Sequence, residues 1–106
     1  MKIMKSYSKQ EVEAYLREHT ALKHAAVYNS ENDNYINDLL DLDTALRKLQ
    51  KNNSNLYKAL VGVFVFGNPI QEQARLMNVS KRQINRRLDD GLHVLTMIMN
   101  GDMYEG

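Results

Sequence analysis

The chain has 106 residues, fourteen Lys and Arg against thirteen Asp and Glu, and no cysteine. That length allows one domain, or one small domain with an extension, and the missing thiols exclude a disulfide framework and a thiolate zinc site. Near-neutral charge excludes a chain that is basic throughout, and no apolar run approaches the ~20 residues that span a membrane.

The start, Met1-Lys-Ile-Met-Lys5, is basic but precedes no apolar signal region, so a cytoplasmic location is expected. One proline and five glycines suit an all-α chain of about five helices. His19, His24 and His93 lack metal-ligand spacing; the first two are five apart, on different faces of a helix. They are expected at the surface or its boundary.

Ser8-Lys-Gln-Glu11 is a capping box and predicts a helix over 9–28. Its apolar stripe is Val12, Tyr15, Leu16, His19, Leu22 and Ala26, and Asn29 and Ser30 break it. A second helix is predicted over 31–51, with Tyr35, Ile36, Leu39, Leu40, Leu42, Leu46 and Leu49 inward. Asp33, Asp38, Asp41 and Asp43 lie towards its start and Arg47, Lys48 and Lys51 at its end, as the helix dipole favours. The polar break Lys51-Asn-Asn-Ser-Asn55 is the expected internal boundary. It divides a two-helix amino-terminal part, 1–53, from a carboxy-terminal part, 54–106.

Residues 55–66 read as strand or helix on composition. A lone strand has no partner in such a chain, whereas Leu56, Ala59, Leu60, Val63 and Phe64 share a helical face. A helix ended by Gly67 is predicted, with Phe64 and Phe66 in the core.

Residues 68–88 then read as a helix-turn-helix. Asn68 is the expected N-cap, Pro69 the first helical residue, and Gln71 the capping-box partner. Ile70, Ala74 and Met77 share a face, and small Ala74 admits a second helix. Asn78 stands where a left-handed residue ends the helix, and Val79 fills the corner. Ser80 caps the next helix, with Gln83 as its box partner. Ile84 and Leu88 point to the core, which leaves Lys81, Arg82, Asn85 and Arg86 outward and Arg87 on the flank. Five basic and no acidic residues fall between Arg75 and Arg87.

Such a basic patch binds phosphates through counterion release. Arg can grip guanine edges bidentately, and Asn or Gln adenine edges. The candidate DNA-binding set is therefore Gln71, Ser80, Lys81, Arg82, Gln83, Asn85, Arg86 and Arg87. Arg82, Asn85 and Arg86 are expected to read bases, and Lys81 and Arg87 to hold phosphates. Gln71 and the amino terminus of its helix are expected near the backbone.

The last helix is predicted over 81–99, about 28 Å at ~1.5 Å per residue, with Gly91 as its weak point. Leu92, Leu95 and Met99 continue the stripe and must pack on the amino-terminal helices or on a second copy. A homodimer through those residues or through the amino-terminal helices stays open at this point. The tail 100–106 is expected to fray.

From Leu56 to Leu95 the chain resembles the fourth conserved region of bacterial sigma factors, their carboxy-terminal DNA-binding part. The residues that carry the likeness are Gly67, Ile70, Glu72, Ala74, Leu76 to Ser80, Arg82, Ile84, Arg86, Arg87, Leu88 and Leu95. It is also similar to short phage and prophage regulators of the ArpU type, and the segment from Leu39 to Leu49 shares in that likeness. The resemblance implies promoter-type reading of double-stranded DNA by Lys81, Arg82, Gln83, Asn85, Arg86 and Arg87. It also implies a contact to RNA polymerase, which no residue here identifies. At this length the chain is expected to lack the segments with which a sigma factor binds core polymerase and melts a promoter.

Two functions stay in view. One is a sequence-specific DNA-binding transcription regulator; the other is a protein-interaction module that keeps the helix-turn-helix as scaffold, which the acidic run from Asp33 to Asp43 favours. An enzyme is not expected, and no cofactor with it. There is no Gly-rich phosphate loop or Cys nucleophile, and no Ser-His-acid set has a suggestive context. Asp38 and Asp41, and adjacent Asp89 and Asp90, read as solvated surface.

Overall fold

The computed structural model describes residues 7–19 and 33–101, the side chains of 33–39 excepted. The expected stripe positions Leu22 and Ala26, the break at Asn29 and Ser30, and His24 lie outside the described residues. So do residues 102–106 of the tail and the side chains of Asp33, Tyr35, Ile36, Asp38 and Leu39.

Five α-helices are present among the described residues: α1 (Lys9–Arg17), α2 (Asp33–Asn52), α3 (Ser54–Leu60), α4 (Ile70–Met77) and α5 (Lys81–Met99). The all-α reading therefore holds. No described helix is long and apolar enough to cross a membrane.

The box that opens α1 forms as the residues dictate. Glu11 N donates to Ser8 Oγ at 3.1 Å and Ser8 N donates to Glu11 Oε1 at 3.1 Å. This helix ends at Arg17, where Glu18 leaves helical geometry at φ −100°, ψ 10°; His19 is helical again, and residues 20–28 of the predicted helix lie outside the described residues. Arg17, at the last turn, lies 4.7 Å above the Phe64 ring and pairs with Glu13. His19 Nε2 stands 2.9 Å from Asp43 Oδ1 and ties the end of α1 to α2.

In α2 the inward face is Leu42, Ala45, Leu46 and Leu49, the spacing of one helical stripe. Leu40, expected inward, is 58 % exposed. It lies two residues before Leu42, about 200° around the helix. Asn53 caps α3 by accepting from Leu56 N at 3.2 Å.

The apolar run 61–66 is helical, but not α-helical. Val61–Val65 form a π turn, closed by Phe66 N donating to Val61 O at 2.9 Å. The extra residue in the turn shifts the helical phase of the residues after it. Phe64 is buried, while Phe66, expected in the core, is 73 % exposed. Gly67 then reverses the chain at φ +76°, a conformation that suits glycine best.

Helix α5 is the element on which the others pack, lying against α1, α2, α3 and α4. Leu92, Leu95, Ile98 and Met99 are buried in this chain's own core with Leu16, Leu49 and Leu60. They are therefore no dimer surface. Gly91 is not a weak point either. A Cβ there would stand 2.9 Å from Leu60 Cγ, so glycine is what lets α3 approach α5.

Asn100, expected to fray, is held. It accepts from Tyr7 N at 2.6 Å and donates to Tyr7 O at 3.0 Å. The buried Tyr7 ring meets Tyr15 edge-on, and its hydroxyl donates to Asp41 Oδ2 at 3.0 Å. The segment before α1 is thus tied to the far end of α5.

Candidate nucleic-acid interface

Helices α4 and α5 form the helix-turn-helix, and the turn between them obeys the local chemistry of its residues. Asn78 adopts φ 57°, ψ 47°, a left-handed conformation. Val79 N donates to Ala74 O at 3.0 Å and Asn78 N to Arg75 O at 3.2 Å. Those two bonds are a Schellman closure, which satisfies carbonyls left over at the helix end. Val79 packs half-buried in the corner and Ala74 is buried, so α5 can come close.

Ser80 opens α5 with a full capping box. Gln83 N donates to Ser80 Oγ at 3.1 Å and Ser80 N donates to Gln83 Oε1 at 3.0 Å. The two side chains fix the start and direction of the helix, and the box leaves the Gln83 Nε2 donor outside it. Ser80→Ala is expected to cost about 0.5–2 kcal/mol of stability, read as a lower thermal midpoint; an unchanged midpoint would mean that the cap does not hold the helix.

The start of α4 differs from its sequence reading. The helix begins at Ile70, with Pro69 in the cap position at φ −57°, ψ 149° and no side chain capping it. Asn68 stands one residue before the cap position and caps nothing; its Nδ2 donates instead to Gln73 Oε1 at 3.0 Å. Gln71 consequently forms no capping box and stands exposed in the first turn. The acidic residue of that turn is Glu72, which binds Arg75.

Sequence reasoning misses Gln73 as a structural residue. It is 5 % exposed, and its Nε2 donates to Lys58 O at 3.2 Å. Its amide lies where a Cβ on Gly62 would be, with Oε1 2.1 Å from that position. So a glycine in the π turn makes room for a buried amide that ties α4 to α3. Period and capping rules carry no signal for it; a glycine inside an apolar run is the only hint.

Along α5, Ile84 and Leu88 are buried, and Lys81, Arg82, Asn85 and Arg86 face outward. Arg87 is half-buried on the flank. Among the described residues none of these four cations has a carboxylate partner, whereas Arg75 is ion-paired with Glu72. The guanidinium of Arg75 holds the Glu72 carboxyl below its ordinary range by hydrogen bonding. The five-cation run thus contributes four free positive charges.

The run ends at Asp89, whose carboxylate takes a 2.8 Å ion pair from Lys9 and is held below its ordinary range by it. Both groups are exposed, so the pair is worth little. The acidic residues of α2 whose side chains are described are also engaged, Asp41 with Tyr7 and Asp43 with His19. Among the described residues no three His, Asp or Glu side chains gather as metal ligands would.

The family model described as ECF sigma factor matches residues 8–90. That match takes in α1 and α2 as well as the helix-turn-helix. No curated protein and no solved structure matches the chain.

Proposed function

Because the chain belongs to the ECF sigma factor family, we propose that it is a sequence-specific DNA-binding transcription regulator that reads the major groove with residues 81–90 of α5. The family is one of transcription factors, not of enzymes. The observation that carries the reading is the outward face of α5. Lys81, Arg82 and Arg86 are exposed and carry no counter-charge among the described residues, on a helix whose register is held by Ser80, Ile84 and Leu88. Uncompensated cations repel one another, and a duplex relieves that repulsion.

In this arrangement Arg82, Asn85 and Arg86 meet base edges, while Lys81 and Arg87 meet phosphates. The amino terminus of α4 has no side-chain cap, so its free N–H groups, with Gln71 beside them, suit a backbone phosphate. Of the two dimer surfaces expected from the sequence, the amino-terminal helices alone remain, since Leu92, Leu95 and Met99 are buried. A homodimer through them would place two recognition helices on a two-fold site.

A second reading, a module that binds RNA polymerase or another regulator, rests on a different surface. Phe66 and Leu76 are 73 % and 57 % exposed and line one depression with Tyr57, Val61 and Met77. Exposed apolar side chains gathered in a depression mark protein contacts more often than DNA contacts.

Selection from random-sequence duplexes separates the two. Enrichment of one motif is the expected result. No enrichment, together with co-purification of polymerase that Phe66→Ser abolishes, would replace the first reading with the second.

A further inference from the structure

The described cations of this chain fall into two groups. Lys9, Arg17 and Arg75 are each paired with a carboxylate. Those unpaired among the described residues are the cations of α5 and a second set: Arg47, Lys48 and Lys51 at the end of α2, and Lys58 on α3. All four of the second set are exposed. Between Asp43 and Glu72 the sequence has no Asp or Glu at all. Exposed amides, Gln50, Asn52 and Asn55, add donors at the same corner.

Cations in the last turn of a helix complement its dipole, and that accounts for Lys51 alone. It does not account for Lys58 on the next helix, nor for Arg47 and Lys48, which lie before the last turn; the carboxylate beside Arg47, Asp43, is bound to His19 instead.

The corner is joined in space to the helix-turn-helix. Lys58 lines one depression with Leu76 and Met77 of α4, and Arg47 and Gln50 line the adjoining one; Phe66 borders both. Lys58 therefore stands beside the helix that, in a helix-turn-helix, lies over the DNA backbone, with Arg47 one depression further along the same surface.

We infer that the α2–α3 corner is a second DNA contact, a purely phosphate-binding one, which holds the backbone of the same duplex outside the segment read by α5. This rests on the DNA-reading function proposed above. It gives a small recognition surface the affinity that one major-groove helix lacks, and adds no base preference, because phosphates carry no sequence information.

The test uses the full chain and the variant Arg47→Gln, Lys48→Gln, Lys51→Gln, Lys58→Gln, with circular dichroism to check the fold. The probes are a duplex enriched by selection and a scrambled one, titrated between about 50 and 200 mM salt. The variant is expected to lose about three to four from the slope of log affinity against log salt, close to one per cation removed. Its preference for the enriched duplex is expected to stay unchanged. A control variant, Lys9→Gln with Arg17→Gln, removes paired cations and should leave the slope nearly as it was.

If the full chain discriminates the duplexes and the quadruple variant keeps its slope, the corner is no DNA contact and the recognition helix stands alone. An acidic protein surface would then be its occupant. If the full chain binds neither duplex, the DNA reading and this inference fall together.

Discussion

Replacing Leu60 with alanine is expected to lower the free energy of unfolding by about 2–5 kcal/mol, out of the ~5–15 kcal/mol of a domain this size. Leu60 is fully buried at the end of α3, where its side chain covers Gly91 of α5. The contact is close enough to reverse the sign of a second substitution. In the parent chain, Gly91→Ala must force a methyl against Leu60 Cγ, 2.9 Å away. Overpacking costs about 1–3 kcal/mol, more than the ~1 kcal/mol that alanine gains over glycine inside a helix. With Leu60→Ala already present, the methyl enters vacated space, and the same change stabilises. Urea unfolding of the four chains measures this directly. Strictly additive effects would mean that Gly91 and Leu60 do not hold α3 and α5 together.

The second large effect concerns recognition. Arg82→Ala and Arg86→Ala are each expected to cost about 1–3 kcal/mol on the enriched duplex and to relax preference at one base pair. Lys81→Ala and Arg87→Ala are expected to weaken matched and scrambled duplexes alike and to lower the salt slope by about one. The division comes from position. Arg82 and Arg86 are four residues apart on the exposed face, on either side of the buried Ile84 that sets the helix register. Arg87 is half-buried at the flank, and Lys81 is the first residue of the helix. Four variants with the same loss on both duplexes would reduce α5 to a non-specific basic surface.

The features legible in the sequence are those whose cause is local. Ser8 with Glu11, Ser80 with Gln83, and left-handed Asn78 each need only a few neighbouring residues to form, and each forms. The outward face of α5 is legible for the same reason: Ile84 and Leu88 set its phase.

The features that escape the sequence have non-local causes. Asn68 has a good cap residue's chemistry, but it stands one residue before the cap position, and Gln73, placed by tertiary packing against Lys58, binds its side chain. Phe66 falls inward only if an α-helical phase is carried through 61–66, and one π turn rotates it out. Gly91 has the look of a flaw because its partner, Leu60, is thirty-one residues away in the chain. The four cations at the α2–α3 corner resemble an ordinary helix end. Only the pairing of Lys9, Arg17 and Arg75 elsewhere shows that these four are different.

Amide chemical-shift mapping of the full chain, with the enriched duplex added, tests the central claim most directly. The expected result is a set of large shifts at 80–87 and at the start of α4, with the buried core of α5 unmoved. Shifts confined to Tyr57, Phe66 and Leu76, with 81–87 unaffected, would contradict DNA reading by α5 and would assign the chain to protein contact instead.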